Sequence, residues 1–389
     1  MKRICLLLVL LTALLSQAAQ AQTGQTITGT ITVGGLVRDY RLYVPAAYVA
    51  GRPTPLLLNL HGYSSNNQQQ ELYGDFRAIA DTAKFLIVHP NGTIDGNGNR
   101  YWNTFTTPNS GGPDDLAFLS ALIDAIGQQY TLDPDRLYCT GLSNGGFMSY
   151  ELACHLGNRI AAVASVAGSI ATTRLSTCMP AHPTPVLEIH GDADGTVPYP
   201  GNVLFTPVPD VLSYWVTANA CNPTPTVVAV PDTDPTDGCT AVHSTWRGNR
   251  TGAVVEHFRI VGGGHTWPGA PVTIGVTNRD INASVEIWRF LRRYRFSRLA
   301  LATAAPAVAP LPLSVYPNPA TGAATVLISG AANLQPAQLH VFDALGRAVR
   351  AVATPAAGGT VQLDVSSWPD GIYFLQMVGP AASWIKLVK

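Results

Sequence analysis

Arg-Leu-Tyr-Cys-Thr-Gly-Leu-Ser-Asn-Gly-Gly-Phe-Met-Ser-Tyr, residues 136–150, decides how the rest of the chain is read. Arg136 to Thr140 is a short apolar strand, and from Gly146 to Ala153 the apolar spacing is helical. Between them, Ser143 is flanked at two removes by Gly141 and Gly145. A strand-to-helix corner this tight leaves no room for flanking side chains, so glycine fills those positions and the hydroxyl stands exposed. A bare Gly-x-Ser-x-Gly occurs by chance as a glycine-rich turn; strand before and helix after make it a nucleophile elbow.

Outward from this corner, strand and helix patterns alternate from about 27 to 295. Leu56–Leu60, Phe85–His89, Ala161–Ala167 and Val186–Ile189 are continuous apolar runs, as expected of strands buried on both faces of a parallel sheet. From Asp115 to Tyr130, Leu116, Leu119, Leu122, Ile123 and Ile126 form one helical stripe, with Pro113-Asp114 as stop and cap. Val285–Phe296 reads as a last amphipathic helix. This is an α/β domain with a mostly parallel sheet.

With 389 residues the chain is long for one domain, and its composition shifts near 297. The expected division is a signal peptide (1–21), a catalytic domain (22–297), an uncharged Ala/Pro/Val linker (298–312) and a C-terminal domain (313–389). The last holds short alternating strands between turn signals such as Pro369-Asp370-Gly371, a small all-β sandwich. At the start, Lys2-Arg3, the apolar Ile4–Leu15 and Ala19-Gln20-Ala21 form the n-region, h-region and cleavage site of an export signal. The apolar stretch is too short to span a bilayer, and no later segment reads as transmembrane.

Net charge is zero and charged residues are 12%, against roughly 25% in ordinary soluble domains. With no basic run, nucleic acid is not an expected partner. Five cysteines remain after the signal: Cys139, Cys154, Cys178, Cys221 and Cys239. Cys139 lies in the strand feeding the elbow and is expected to be free and inert. The expected bridges are Cys154–Cys178 and Cys221–Cys239, each closing a modest loop worth about 3 kcal/mol in the chain-entropy model.

An activated serine needs an imidazole within reach and an acid to orient it, in chain order Ser, acid, His for an elbow of this kind. His61 and His89 precede Ser143, His257 lies inside a strand, and His155 and His182 lie on the elbow helix and in a Pro-rich loop. His265 follows Gly262-Gly263-Gly264 and precedes Thr266-Trp267-Pro268, so a flexible turn can carry it to the sheet edge. It is the expected base. Asp194 is the expected acid and Asp192 the alternative, which could instead cap the turn by bonding backbone N–H groups. The expected oxyanion donors are the backbone amides of Asn144 and Tyr63. Trp102 and Trp267 are candidates for an apolar substrate platform, although core packing explains aromatic residues equally well. His61 and His190 read as structural. No metal-ligand spacing and no cofactor motif are present.

Leu-His-Gly (60–62), Tyr-Trp-Asn (101–103), Asp-Asp-Leu-Ala-Phe-Leu (114–119), Asp-Pro-Asp-Arg-Leu-Tyr (133–138), Gly-Leu-Ser-Asn-Gly-Gly, His-Gly-x-x-Asp (190–194) and Gly-Gly-Gly-His-Thr-Trp-Pro-Gly together resemble the secreted polyhydroxybutyrate depolymerase/feruloyl esterase family of α/β-hydrolases. The resemblance covers about 30–295. It implies Ser143 as nucleophile, Asp194 as acid and His265 as base, a Cys154–Cys178 bridge, and a polyester or feruloyl/acetyl polysaccharide ester as substrate. Asp192 departs from the pattern, where a neutral residue is usual. The tail, with Tyr-Pro-Asn-Pro (316–319), Val-Phe-Asp-Ala-Leu-Gly-Arg (341–347) and Asp-Gly-Ile-Tyr-Phe-Leu (370–375), resembles the type IX secretion sorting domain of Bacteroidetes. It implies handling by that machinery and release or anchoring at the cell surface. The rival readings are a serine peptidase with the same triad and a non-catalytic carbohydrate-binding surface protein.

Overall fold

The computed structural model describes residues 23–106, 112–248, 252–302, 313–328, 338–344, 347–353, 359–378 and 383–389. The signal peptide expected at 1–21 lies outside them. The chain forms two compact units, 1–303 and 304–389.

In the first unit the strands are β1 (Gln25–Val33), β2 (Leu36–Val44), β3 (Thr54–Leu60), β4 (Leu86–Pro90), the short pair β5 (Thr93–Ile94) and β6 (Arg100–Tyr101), β7 (Leu132–Leu142), β8 (Ala162–Val166), β9 (Val186–Gly191), β10 (Thr226–Ala229), β11 (Thr240–Arg247) and β12 (Val254–Val261). The helices are α1 (Asn67–Tyr73), α2 (Arg77–Ala83), α3 (Asp115–Gly127), α4 (Asn144–His155), α5 (Val208–Ala218), α6 (Ala283–Leu291) and α7 (Phe296–Ala302). Ten strands make one sheet in the order β1-β2-β4-β3-β7-β8-β9-β12-β11-β10. Its centre, from β4 to β12, is parallel, and both edges are antiparallel hairpins.

The continuous apolar runs divide by parity. Leu56, Leu58 and Leu60 of β3 pack on one face with α3 and α5, while Leu57 packs on the other with α2 and α6. Successive strand side chains point to opposite faces, so a strand covered on both sides is nearly all apolar, and the buried exception in β3, Asn59, is bonded to Gly74 O and the Gln70 amide. The α3 stripe packs into the first of these cores, and the Asp114 carboxylate caps the helix by accepting from Ala117 N at 2.9 Å.

Near the end of this unit the chain departs from its pattern. The single helix expected over 285–296 is two, because α6 stops at Leu291 and α7 begins at Phe296. Ser297 bonds Asp135 through its hydroxyl at 2.9 Å, seating the start of α7 on the first residues of β7. The expected linker therefore begins in helix as far as 302, and its remainder, 303–312, lies outside the described residues.

The second unit pairs β13 (Leu313–Tyr316), β14 (Ala323–Ile328) and β17 (Gly359–Asp364) in one antiparallel sheet, and β16 (Ala348–Ala353), β15 (Gln338–Asp343), β18 (Ile372–Val378) and β19 (Ser383–Val388) in another. Val326, Ile328, Leu339, Val341, Leu363, Leu375 and Leu387 form a core between them. It is a small all-β sandwich. Among the described residues no helix is long and apolar enough to cross a membrane.

Candidate active site

Ser143 joins β7 to α4 with φ +54° and ψ −120°, backbone that a non-glycine residue seldom adopts and that costs of order 1–3 kcal/mol. Its amide donates to Val166 O at 2.8 Å, and its carbonyl accepts from Phe147 N at 3.0 Å, so both sides of the corner are fixed. The flanking glycines are demanded by packing. A Cβ on Gly145 would lie 2.2 Å from Leu60 O, and one on Gly141 would lie 2.5 Å from the Gly145 carbonyl.

The end of β3 approaches the same corner. A side chain at Gly62 would come within 3.5 Å of Ser143 Cβ, which sets the following residue, Tyr63, beside the serine. Ser143, Gly62, Tyr63 and His265 line one open cavity of about 930 Å³. The Asn144 amide begins α4, where helix N–H groups lack intrahelical partners. The Asn144 side chain faces the other way, accepting from Trp102 N at 2.6 Å and donating to Trp102 O at 3.1 Å.

His265 and Asp194 meet because two loops are stitched together. The amides of Asp192 and Ala193 donate to Ile260 O and Gly263 O at 2.9 and 3.1 Å. A Cβ on Gly191 would lie 2.2 Å from Gly263 O, so glycine is needed where the loops cross. Asp194 Oδ2 then lies 2.7 Å from His265 Nδ1, and Asp194 Oδ1 accepts from the amides of Thr196 and Val197 at 2.8 Å each. Burial pushes this carboxyl up, but the His265 hydrogen bond and charge, the Val197 amide and His190 outweigh it and leave it below the usual carboxylate range. The rival acid is occupied elsewhere: Asp192 takes both Arg259 Nε and a terminal Arg259 nitrogen on Oδ2 and caps Gly262 N with Oδ1 at 2.7 Å.

Two expected roles are corrected. Trp102 and Trp267 are 0% and 1% exposed and form no substrate platform. Trp102 donates from Nε1 to His61 O at 2.9 Å. Trp267 donates to Ser284 Oγ at 3.2 Å and packs edge-on against Phe76, on the floor beneath the His265 loop. Their polar, glycine-rich neighbours suggested exposure, but an indole that finds one acceptor is more stable buried. The cavity instead carries an aliphatic patch, Leu72, Val272 and Ile274, each more than half exposed, beside polar residues that include Gln69, Gln70, Asp75 and Arg77.

The second correction concerns cysteines. Cys154 and Cys178 are bonded, whereas Cys221 and Cys239 are free, as is Cys139. Cys239 immediately precedes β11, and Cys221 pairs with Gly248 just past its far end. The nine residue steps from Cys239 to Gly248 hold them roughly 30 Å apart at about 3.3 Å per residue, and a disulfide needs Cα atoms within about 7 Å. Burial pushes the Cys139 thiol up to about 12, so it stays protonated and unreactive.

His61 and His190 are both built into the fold. His61 Nε2 accepts from Gly92 N at 2.9 Å, and burial pulls its pKa down to about 4. Sequence reasoning missed Arg38 and Asp115, a buried ion pair at 2.8 Å. Asp115 also accepts from Asn103 N at 2.7 Å, so the pair anchors the loop carrying Trp102 behind the elbow. The only sign of it was a second acid after the Asp114 cap.

The model of the family described as esterase PHB depolymerase matches residues 38–181, and that of the secretion system C-terminal sorting domain matches 314–388. The "Putative esterase NocK" of Nocardia uniformis subsp. tsuyamanensis is 30% identical over 67% of this chain and 80% of its own length. The chain belongs to the PHB depolymerase family of esterases. This esterase is also 29% identical to a bifunctional acetylxylan esterase/xylanase of Neocallimastix patriciarum, over 42% of the chain and 22% of that protein. With the "Probable feruloyl esterase C" of Aspergillus clavatus it shares 33% identity over 45% of the chain and 60% of that protein. It is a carboxylic ester hydrolase, and its sorting tail marks it for export to the cell surface or beyond.

Proposed function

We propose that the esterase works by two-step acyl transfer through Ser143, His265 and Asp194. The observation that carries this is the 2.7 Å contact of Asp194 with His265 Nδ1, on a cavity that Ser143 also lines. With Nδ1–H donated to Asp194, the Nε2 of His265 is the nitrogen left to take a proton from the serine. Ser143 Oγ attacks the ester carbonyl as its proton passes to His265. The resulting oxyanion is held by the amides of Asn144 and Tyr63, and each such donor is worth about 10²–10³-fold in rate. His265 returns the proton to the leaving alcohol, and water repeats the sequence on the acyl-enzyme.

For the substrate we infer a polyester of the polyhydroxybutyrate kind or a feruloyl or acetyl ester of a polysaccharide. The open cavity of about 930 Å³ has room for an acyl group larger than acetyl as well as for acetyl itself. Handling of the tail by the type IX secretion machinery belongs to the same proposal. Rates on p-nitrophenyl acetate, methyl ferulate and polyhydroxybutyrate film, measured in parallel for the wild type and Ser143→Ala, test both parts. The variant should lose activity on all three by about 10⁴–10⁶-fold. A wild type active on p-nitrophenyl acetate alone would remove the larger substrates.

A further inference from the structure

A carboxylate stands where the sheet has no use for one. Glu188 lies mid-way along β9, its side chain 1% exposed. Tyr150, on α4, donates its hydroxyl to Glu188 Oε2 at 2.6 Å, and His190 Nδ1 lies 2.9 Å from Oε1. His190 Nε2 is 2.9 Å from Val197 O and 3.4 Å from Asp194 Oδ2. A carbonyl only accepts, so Nε2 carries a hydrogen. One further proton is shared between Nδ1 and Glu188. Burial raises the Glu188 carboxyl, and the His190 and Tyr150 hydrogen bonds offset this only in part; the same contact with Glu188 raises His190, and with the shared proton on its ring His190 is an imidazolium against Asp194.

We propose that Glu188 and His190 are positioning residues of the ester-hydrolysis reaction: a buried ion pair that holds Asp194 ionised and turned to His265, and so shapes the acid limb of the reaction's pH profile. This rests on the triad reading above. His265 and His190 both approach Asp194 Oδ2, and a second cation at that oxygen weakens its hold on the protonated form of His265.

The other charged and titratable groups around the pair are accounted for. His257 of β12 donates from Nδ1 to Glu188 O at 3.0 Å and accepts the Tyr199 hydroxyl at 3.1 Å on Nε2. Burial pulls its pKa down to about 3, so it adds no charge. Arg259 is spent on Asp192. Burial pulls His190 down as well, but its hydrogen bond to Glu188 and the Glu188 charge reverse the sign and raise it.

Glu188→Gln is the decisive substitution. The amide can donate to His190 Nδ1 and leave Nε2–H on Val197 O, so shape and bonding persist while the imidazolium is discharged. In the full-length enzyme, the acid limb of kcat/KM on p-nitrophenyl acetate should move up by about one pH unit, while the alkaline plateau stays within a few-fold. Tyr150→Phe, which removes the donor that keeps Glu188 ionised, should move the limb in the same direction by less. If Glu188→Gln does not fold, Tyr150→Phe decides alone. A limb that stays in place while only the melting temperature falls would reduce the pair to a structural role and overturn the proposal. Ser143→Ala is run beside them. If it keeps activity, the triad reading fails and carries this proposal with it. If it is dead and the limb has not moved, the pair's role alone fails.

Discussion

At the residue scale, two aspartates two positions apart differ in what they touch: Arg259 holds Asp192, and His265 lies against Asp194. The corner at Ser143 was legible because the glycines around it have no substitute, and the loop placing of His265 because three glycines precede it. Asp194 and Asp192 are chemically identical and two residues apart, so sequence could only rank them. Arg259 breaks the tie, since it neutralises Asp192 from a neighbouring strand. Asp194→Asn should lower kcat by about 10⁴-fold, by analogy with the loss of tautomer control in serine proteases. Asp192→Asn should keep kcat within about tenfold and lose stability instead; steady-state kinetics paired with thermal melts of the two variants separate the roles. Trp102 and Trp267 were not legible, because a tryptophan beside polar loop residues looks the same whether its ring turns outward or inward. Glu188 was the clearer missed signal, as a lone acid inside an apolar strand has to find partners.

At the scale of elements, the continuous apolar runs fixed the parallel centre of the sheet, and the antiparallel edge strands β10 and β11 carried no such mark. Helix ends needed tertiary information, as the break between α6 and α7 shows. The elbow makes the sharpest element-level expectation. Gly145→Ala places a methyl carbon 2.2 Å from the Leu60 carbonyl oxygen, between two backbones that cannot yield cheaply. It should cost activity and soluble yield together, by about 3 kcal/mol or more in denaturant titration. Strand histidines make a second expectation. Burial pulls His61, at the end of β3, and His89, on β4, down to about 4, and His257, on β12, to about 3. All three are neutral in the fold, with folded values below the ~6.5 of a free imidazole. Above pH ~6.5 neither state binds the proton and stability is full. Below it the unfolded chain protonates first, so stability falls toward pH ~4, by up to about 1.4 kcal/mol per pH unit for each histidine. The urea midpoint should drop steeply between pH 6.5 and 4.5, and a flat profile would contradict the neutral assignment.

Across the whole molecule, a helix-covered sheet and a separate all-β sandwich each have their own core, and only the first contains residues of the candidate site. A mature chain ending at 302 should keep its esterase rate within about two-fold and lose surface delivery in a host with the cognate export machinery. Activity assays on cell fractions read both effects. The two-unit plan was legible from the composition shift near 297, whereas the false Cys221–Cys239 pairing came from counting loop lengths without knowing that a strand separates the two thiols. The measurement that bears most directly on the reaction is peptide mapping by mass spectrometry after treatment with a fluorophosphonate. The expected result is a single adduct on the peptide bearing Ser143, formed in the wild type and absent from His265→Ala. An unlabelled Ser143 in protein that still hydrolyses p-nitrophenyl acetate would contradict it.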